Sequence, residues 1–314
     1  MNEMLSSEGE SASHLPRILE FPRHREFQTD DVEYLFRSLD VDPVSIEPRL
    51  VEAMQYLGSH SETMNDEARA RVMAGVMEEY GNRLDSPNRL SKEGWHHVNL
   101  ASTLTDVGKV GPEQGMIDDA NRLVTALYAQ NGKFSPNAPL SEFIEQFFPF
   151  HRIAMLKVLR QVPGLSADMP MRSFWDAHAQ WTLDHLKDSG VPHEVVLTAA
   201  AHHLLEGDGA NPRLDGVPII DKATGMIRGF GIERPIDQRE IWVVLFDKYE
   251  ANMTRSGATH EGAIGWLREF FEKNQTLAAL PELKRQFLSC LDDLHAARPS
   301  DAFQEIEEEQ MVAK

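Results

Sequence analysis

The stretch Ala200-Ala201-His202-His203-Leu204-Leu205-Glu206-Gly207-Asp208-Gly209 governs how the chain reads. An apolar helical pattern ends there in two adjacent histidines, followed by a glycine-broken acidic turn. Adjacent imidazoles at a helix end can face one metal ion, and neutral imidazole suits Fe, Mn, Zn or Ni. Taken alone, the same letters also suit a plain polar helix terminus. Their neighbours change the reading. Trp175-Asp176-Ala177-His178 lies on the preceding helical pattern, with His178 24 positions before His202. A helix, a Gly190-Val191-Pro192 turn and a return helix span that gap and bring His178 back beside the pair. Asp247 follows the six apolar residues 241–246. A carboxylate beside a buried segment is costly unless it meets a cation, either a metal or a lysine or arginine. Leu104-Thr105-Asp106-Val107-Gly108-Lys109-Val110-Gly111-Pro112 sets Asp106 and Lys109 three apart where an apolar helix ends, a pattern that also serves as a simple helix stop.

Helical periodicity dominates outward from these blocks. A short helix is expected over 30–38 with Asp30 as N-cap. Further helices are expected over 47–59, 65–80, 95–104, 116–130, 140–162, 173–189, 193–205, 237–253, 260–273 and 281–296. Helical pattern vanishes between Gly207 and Pro235, where VPIIDKATGMIRGFG reads as two short strands around a Lys222-Ala223-Thr224-Gly225 turn. The class is therefore all-α with at most one small β-hairpin. Residues 1–45 read as an N-terminal arm or small helical regulatory segment, 46–296 as one helical domain, and 297–314 as an acidic tail.

Composition narrows the function. The 314 residues carry 31 Lys+Arg against 50 Asp+Glu, a formal charge of −19. Such acidity disfavours polymeric nucleic acid and anionic membrane surfaces, although it leaves room for a local cationic pocket. At 41% hydrophobic residues a sizeable core is available. The single cysteine, Cys290, excludes a disulfide framework and a zinc knuckle. The opening residues lack the basic-then-apolar plan of a signal peptide, and no apolar run is long enough to span a bilayer, so a cytoplasmic location is expected.

In this order, the blocks resemble the HD superfamily of metal-dependent phosphohydrolases, in particular its HD-GYP branch of cyclic-di-GMP phosphodiesterases. Where that branch reads L-H-D-I-G-K-I-G, the chain has L-T-D-V-G-K-V-G at 104–111. The isolated family histidine is matched by His178. The H-H-E-x-x-D-G-x-G-Y-P block is matched by H-H-L-L-E-G-D-G-A-N-P at 202–212, and A-D-V-Y-D-A-L-T by F-D-K-Y-E-A-N-M-T at 246–254. Thr259-His260-Glu261-Gly262-Ala263-Ile264 echoes S-H-E-E-A-L, and His60-Ser61-Glu62 resembles the opening ligand. The resemblance spans about residues 47–290.

It implies an HD-domain helical bundle. It also implies a metal set of His60, Asp106, His178, His202, His203 and Asp247 holding two divalent ions, iron or manganese. Thr105 stands where the dyad histidine would be, Tyr56 where some members carry a glutamate, and Leu204 and Asn211 replace the Glu and Tyr of the H-H-E block. With Thr105 in place, one ion or none is also compatible with the set. His96 and His97 read as core packing rather than as ligands. The implied chemistry is attack of a metal-activated water on a phosphodiester, with Asp106 bridging the ions and Lys109 balancing phosphate charge. Lys109 and Arg255 would meet the substrate, a cyclic dinucleotide or another small phosphodiester. Two alternatives stand beside this: a degenerate member that binds a nucleotide or a protein signalling partner without hydrolysis, and a metal-free domain of the related HDOD type. A homodimer is compatible with each.

Overall fold

The computed structural model describes residues 28–60, 90–130, 134–203, 219–221, 226–229, 232–254 and 259–297. The described part is mostly helical and all-α in class, as the periodicity requires. Helix α1 (Thr29–Ser38) and α2 (Pro48–His60) come first. The stretch Pro43–Ser45 between them is a 3-10 turn. Gln28, not Asp30, precedes α1, and its N–H donates to the Asp31 carboxylate at 2.7 Å. Asp30 instead occupies the first helical turn, where its charge still favours the positive end of the helix dipole. Val32 and Phe36 of α1 are fully buried in the same core as Leu50, Met54 and Leu57 of α2. The helix expected over 65–80 lies outside the described residues.

Helix α3 (Lys92–Leu104) is capped by Ser91, whose hydroxyl accepts from the Gly94 N–H at 3.1 Å. It runs into a 3-10 turn, Val107–Val110, that carries Lys109 and follows directly on Asp106. Helix α4 (Asp119–Ala129) starts later than the expected 116, because Asp118 accepts from the Ala120 and Asn121 N–H groups and fixes the start there.

The single helix expected over 140–162 is two, α5 (Leu140–Phe147) and α6 (Arg152–Leu159). Pro149 explains the break, since it lacks the N–H a continuous helix needs and disfavours helical geometry in the residue before it. Helix α7 (Met171–Leu186) and α8 (His193–Ala200) follow. The latter stops at Ala200, so His202 and His203 sit in the turn beyond it rather than on a helix running to 205.

The expected hairpin is present and extended by one strand. β1 (Ile219–Asp221) pairs antiparallel with β2 (Met226–Gly229), and β2 with β3 (Ile232–Pro235), in the order β1-β2-β3. The residues of its first turn, 222–225, lie outside the described ones. Helices α9 (Gln238–Thr254), α10 (His260–Lys273), a short α11 (Gln275–Ala278) and α12 (Pro281–Ala297) complete the described residues.

Two apolar clusters form the core. One joins α1, α2, α3 and α8 with α9 and the helices after it. The other joins α4, α5 and α6 with Met171, Phe174, Ala177 and Trp181 of α7. Helix α7 belongs to both, because Leu186 near its far end packs into the first. His178 therefore sits on the element the two clusters share. Each fully buried Leu or Phe stabilises by about 2 kcal/mol over exposure, so α7 is held from both sides. Among the described residues no helix is long and apolar enough to cross a membrane.

Candidate metal centre

Gly108 brings the parts of the centre together. A Cβ at this position would lie 2.1 Å from the carbonyl oxygen of His178 and 2.4 Å from the Thr182 nitrogen. Only a residue without a side chain lets the 3-10 turn lie against the backbone of α7. The Gly108 N–H donates to the Thr182 hydroxyl at 3.0 Å, and that hydroxyl donates in turn to the Thr105 carbonyl at 2.8 Å. Asp106 is thereby set opposite His178, with Oδ1 3.2 Å from its Nε2 and 3.9 Å from the Nε2 of His202.

The three imidazoles converge. His178 Nε2 lies 2.9 Å from His202 Nε2 and 3.2 Å from His203 Nε2. One nitrogen from each ring falls within 4.8 Å of those of the other two. The Trp175 carbonyl accepts from His178 Nδ1 at 2.6 Å, and the Ala199 carbonyl accepts from His202 Nδ1 at 2.7 Å. A carbonyl can only accept, so the proton of each neutral ring is on Nδ1, and each Nε2 turns a lone pair inward. Burial reinforces neutrality. It pushes the His178 pKa down to about 4 against the opposing pull of Asp106, and that of His202 well below the usual histidine range. Nitrogen lone pairs and a carboxylate oxygen thus point at one another in a nearly dry space, an arrangement that a cation relieves. Ligands at ~2.1 Å from an ion stand about 3.0 Å apart at right angles and about 3.4 Å apart at tetrahedral angles. The separations of 2.9 and 3.2 Å around His178 fit adjacent ligands of one ion.

The other residues singled out from the sequence are placed as follows. Lys109 is buried, and its Nζ donates to Asp106 Oδ2. Asp247 lies close enough to His202 to oppose the fall in its pKa, and its Oδ2 accepts from Lys248 Nζ at 2.6 Å. The ion pair with a lysine, one of the two partners its position allowed, is therefore made. His60 stands outside the three-histidine group. Its Nδ1 donates to the Tyr56 carbonyl at 2.9 Å, and its ring stacks on Tyr56 with centroids 4.2 Å apart. Burial drives the Tyr56 hydroxyl pKa up to about 12. Thr105 is buried with its hydroxyl turned back onto the Ser102 carbonyl at 3.1 Å. His97 packs in the core as expected, 2.8 Å from the Thr198 hydroxyl. Arg255, Leu204 and Asn211 lie outside the described residues.

Two side chains of α4 escaped the sequence reading. The Asn121 Nδ2 donates to the carbonyls of Val110 and Pro112, fixing the turn that follows Asp106. The Tyr128 hydroxyl donates to the Phe174 carbonyl at 2.6 Å, with the Trp175 carbonyl 3.4 Å away. Its ring also stands nearly perpendicular to His178, centroids 5.5 Å apart. The two positions are seven apart and share one face of α4. A buried asparagine at such spacing from a tyrosine was the available signal.

No family model matches the chain, no curated protein matches it, and no solved structure matches it.

Proposed function

We propose that the chain is a divergent metal-dependent phosphodiesterase of the HD-GYP kind, acting on cyclic-di-GMP or a related small phosphodiester. One observation carries the reading: three imidazole nitrogens and Asp106 Oδ1 gather around a common point, while the Nδ1 protons of His178 and His202 are held on backbone carbonyls. A divalent ion there would supply a Lewis acid and a water acidified toward neutrality. His178, His202, His203 and Asp106 would hold it. The Trp175 and Ala199 carbonyls keep two of the rings in the ligating tautomer, and Lys109 neutralises the carboxylate oxygen that faces away. A second ion would draw on Asp247 and His60, of which Asp247 is paired with Lys248 and His60 stands outside the three-histidine group. Iron or manganese suits such a mixed histidine–carboxylate site.

A second reading, binding without hydrolysis, draws on a different observation. Lys109 Nζ is engaged by Asp106 and the Thr105 hydroxyl by Ser102, so neither group is turned toward a phosphate. Anaerobic metal quantification alongside a cyclic-dinucleotide hydrolysis screen on the same sample separates the two. The expected result is one to two equivalents of Fe or Mn with turnover. Metal without turnover selects the second reading. Protein that takes up no metal on reconstitution refutes both.

A further inference from the structure

Phe150 is 95% exposed and Ile153 is 82% exposed, at the corner where α5 gives way to α6. On the buried side of α5, Phe143 packs against Phe134 and Phe147. Phe150, Ile153, Lys157 and Arg160 fall at spacings of three, four and three, which places them along one outer face of α6 and the turn before it. Lys157 and Arg160 are exposed as well. The surrounding charge is unusual for this molecule. Residues 146–167 hold His151, Arg152, Lys157 and Arg160 and no carboxylate, in a chain with 50 of them. The nearest acid upstream, Glu145, reaches the Arg152 guanidinium at 3.5 Å.

The feature is an apolar pair followed by cations, so its complement is an apolar pair followed by acids. Residues 301–314, DAFQEIEEEQMVAK, supply that order. Phe303 and Ile306 are three apart, as Phe150 and Ile153 are, and Glu307, Glu308 and Glu309 follow directly. We propose that the α5–α6 corner is the docking surface for this acidic carboxy-terminal stretch, Phe303 and Ile306 covering Phe150 and Ile153 while the glutamates meet Lys157 and Arg160. The stretch is present at one copy per corner in every preparation, whereas an anionic lipid surface must overcome a net charge of −19. Pairing of this kind weakens with salt, because the exposed charges are screened.

The test is photo-crosslinking in the full-length chain with p-benzoylphenylalanine at position 303, read by peptide mass spectrometry. Cross-links to residues 146–161 are expected. Lys157→Glu with Arg160→Glu should lower their yield at least fivefold, and adding Glu307→Lys with Glu308→Lys should restore it. All four positions are polar, and circular dichroism checks that each variant keeps its helices. A mixture of isotopically light and heavy chains shows whether the stretch docks on its own molecule or on a second copy; either supports the assignment. Cross-links spread evenly over the surface, or a yield indifferent to charge reversal, overturn it. Binding to anionic vesicles that Phe150→Ser abolishes, with no cross-link at the corner, overturns it in favour of a membrane contact.

Discussion

Gly108→Ala places a methyl group 2.1 Å from the His178 carbonyl oxygen and 2.4 Å from the Thr182 nitrogen, both of them backbone atoms. Neither can rotate away. Real Cβ contacts essentially never fall under 3.0 Å, so the turn and α7 must separate by about 0.9 Å at least. The hydrogen bond from Gly108 to Thr182 is stretched by the same movement. Overpacking of this order costs roughly 1–3 kcal/mol, which for a chain of this size lowers the melting temperature by about 2–10 °C. The effect on the centre is sharper, because ligand distances tolerate only about 0.2 Å. Asp106 rides on the turn and His178 on α7, so the clash opens the ligand set itself. Metal affinity should fall at least tenfold, as with losses in the supporting shell of other sites. Equilibrium dialysis against Mn or Fe, with thermal melts of the metal-free and metal-loaded protein, measures both effects. A variant that keeps wild-type affinity and melts as wild type does would refute the account of why the turn and α7 are in contact.

Other expectations follow from the same geometry. His202→Ala should abolish the rise in melting temperature that added metal gives the wild type, a rise worth about 2.7 kcal/mol at a hundredfold excess over Kd; an unchanged metal-induced shift in calorimetry would remove His202 from the site. Tyr128→Phe keeps the ring beside His178 but loses the hydroxyl bond to the Phe174 carbonyl, so metal affinity should drop several-fold while the helical content stays constant; equal affinity in dialysis contradicts the bracing role of α4. His97 is buried, and chiefly for that reason its pKa is lowered to about 4. The unfolded chain therefore binds the proton first, and the contribution to stability, full above about pH 6.5, declines as pH falls toward 4. By pH 5 it is smaller by about 2 kcal/mol. Urea melts at pH 5 and pH 8 should show that loss, and His97→Gln should lessen it; identical pH slopes would refute the assignment.

The sequence was most legible where a single periodicity decides. Helix α10 runs over His260–Lys273 as expected, and α9 and α12 differ from expectation by a residue or so. The spacing from His178 to His202 correctly announced a helix, a turn and a return, because α8 runs back along α7 and the turn beyond it sets His202 beside His178 at the middle of α7. The break at Pro149 was written in the sequence but masked by the continuous apolar pattern on either side. The third strand was missed because four residues, the last of them a proline, give too short an alternation. Within the centre, the residue types were legible and the partners were not. Nothing in the spacing of Asp106 and Lys109 tells whether the ammonium faces a substrate or the neighbouring carboxylate. The contacts of Gly108, Asn121 and Tyr128 cross between distant segments, and one-dimensional pattern holds no record of them.

The hydroxyl of Thr182 accepts from Gly108 in the turn and donates to Thr105 at the end of α3, all within a space that leaves no room at Gly108 for a methyl group. Only serine and threonine combine a single short arm with both capacities. Across the descendants of this chain, positions 108 and 182 should accordingly drift as a unit: glycine at the first should accompany an alcohol at the second, and a lineage that abandons one should soon abandon the other.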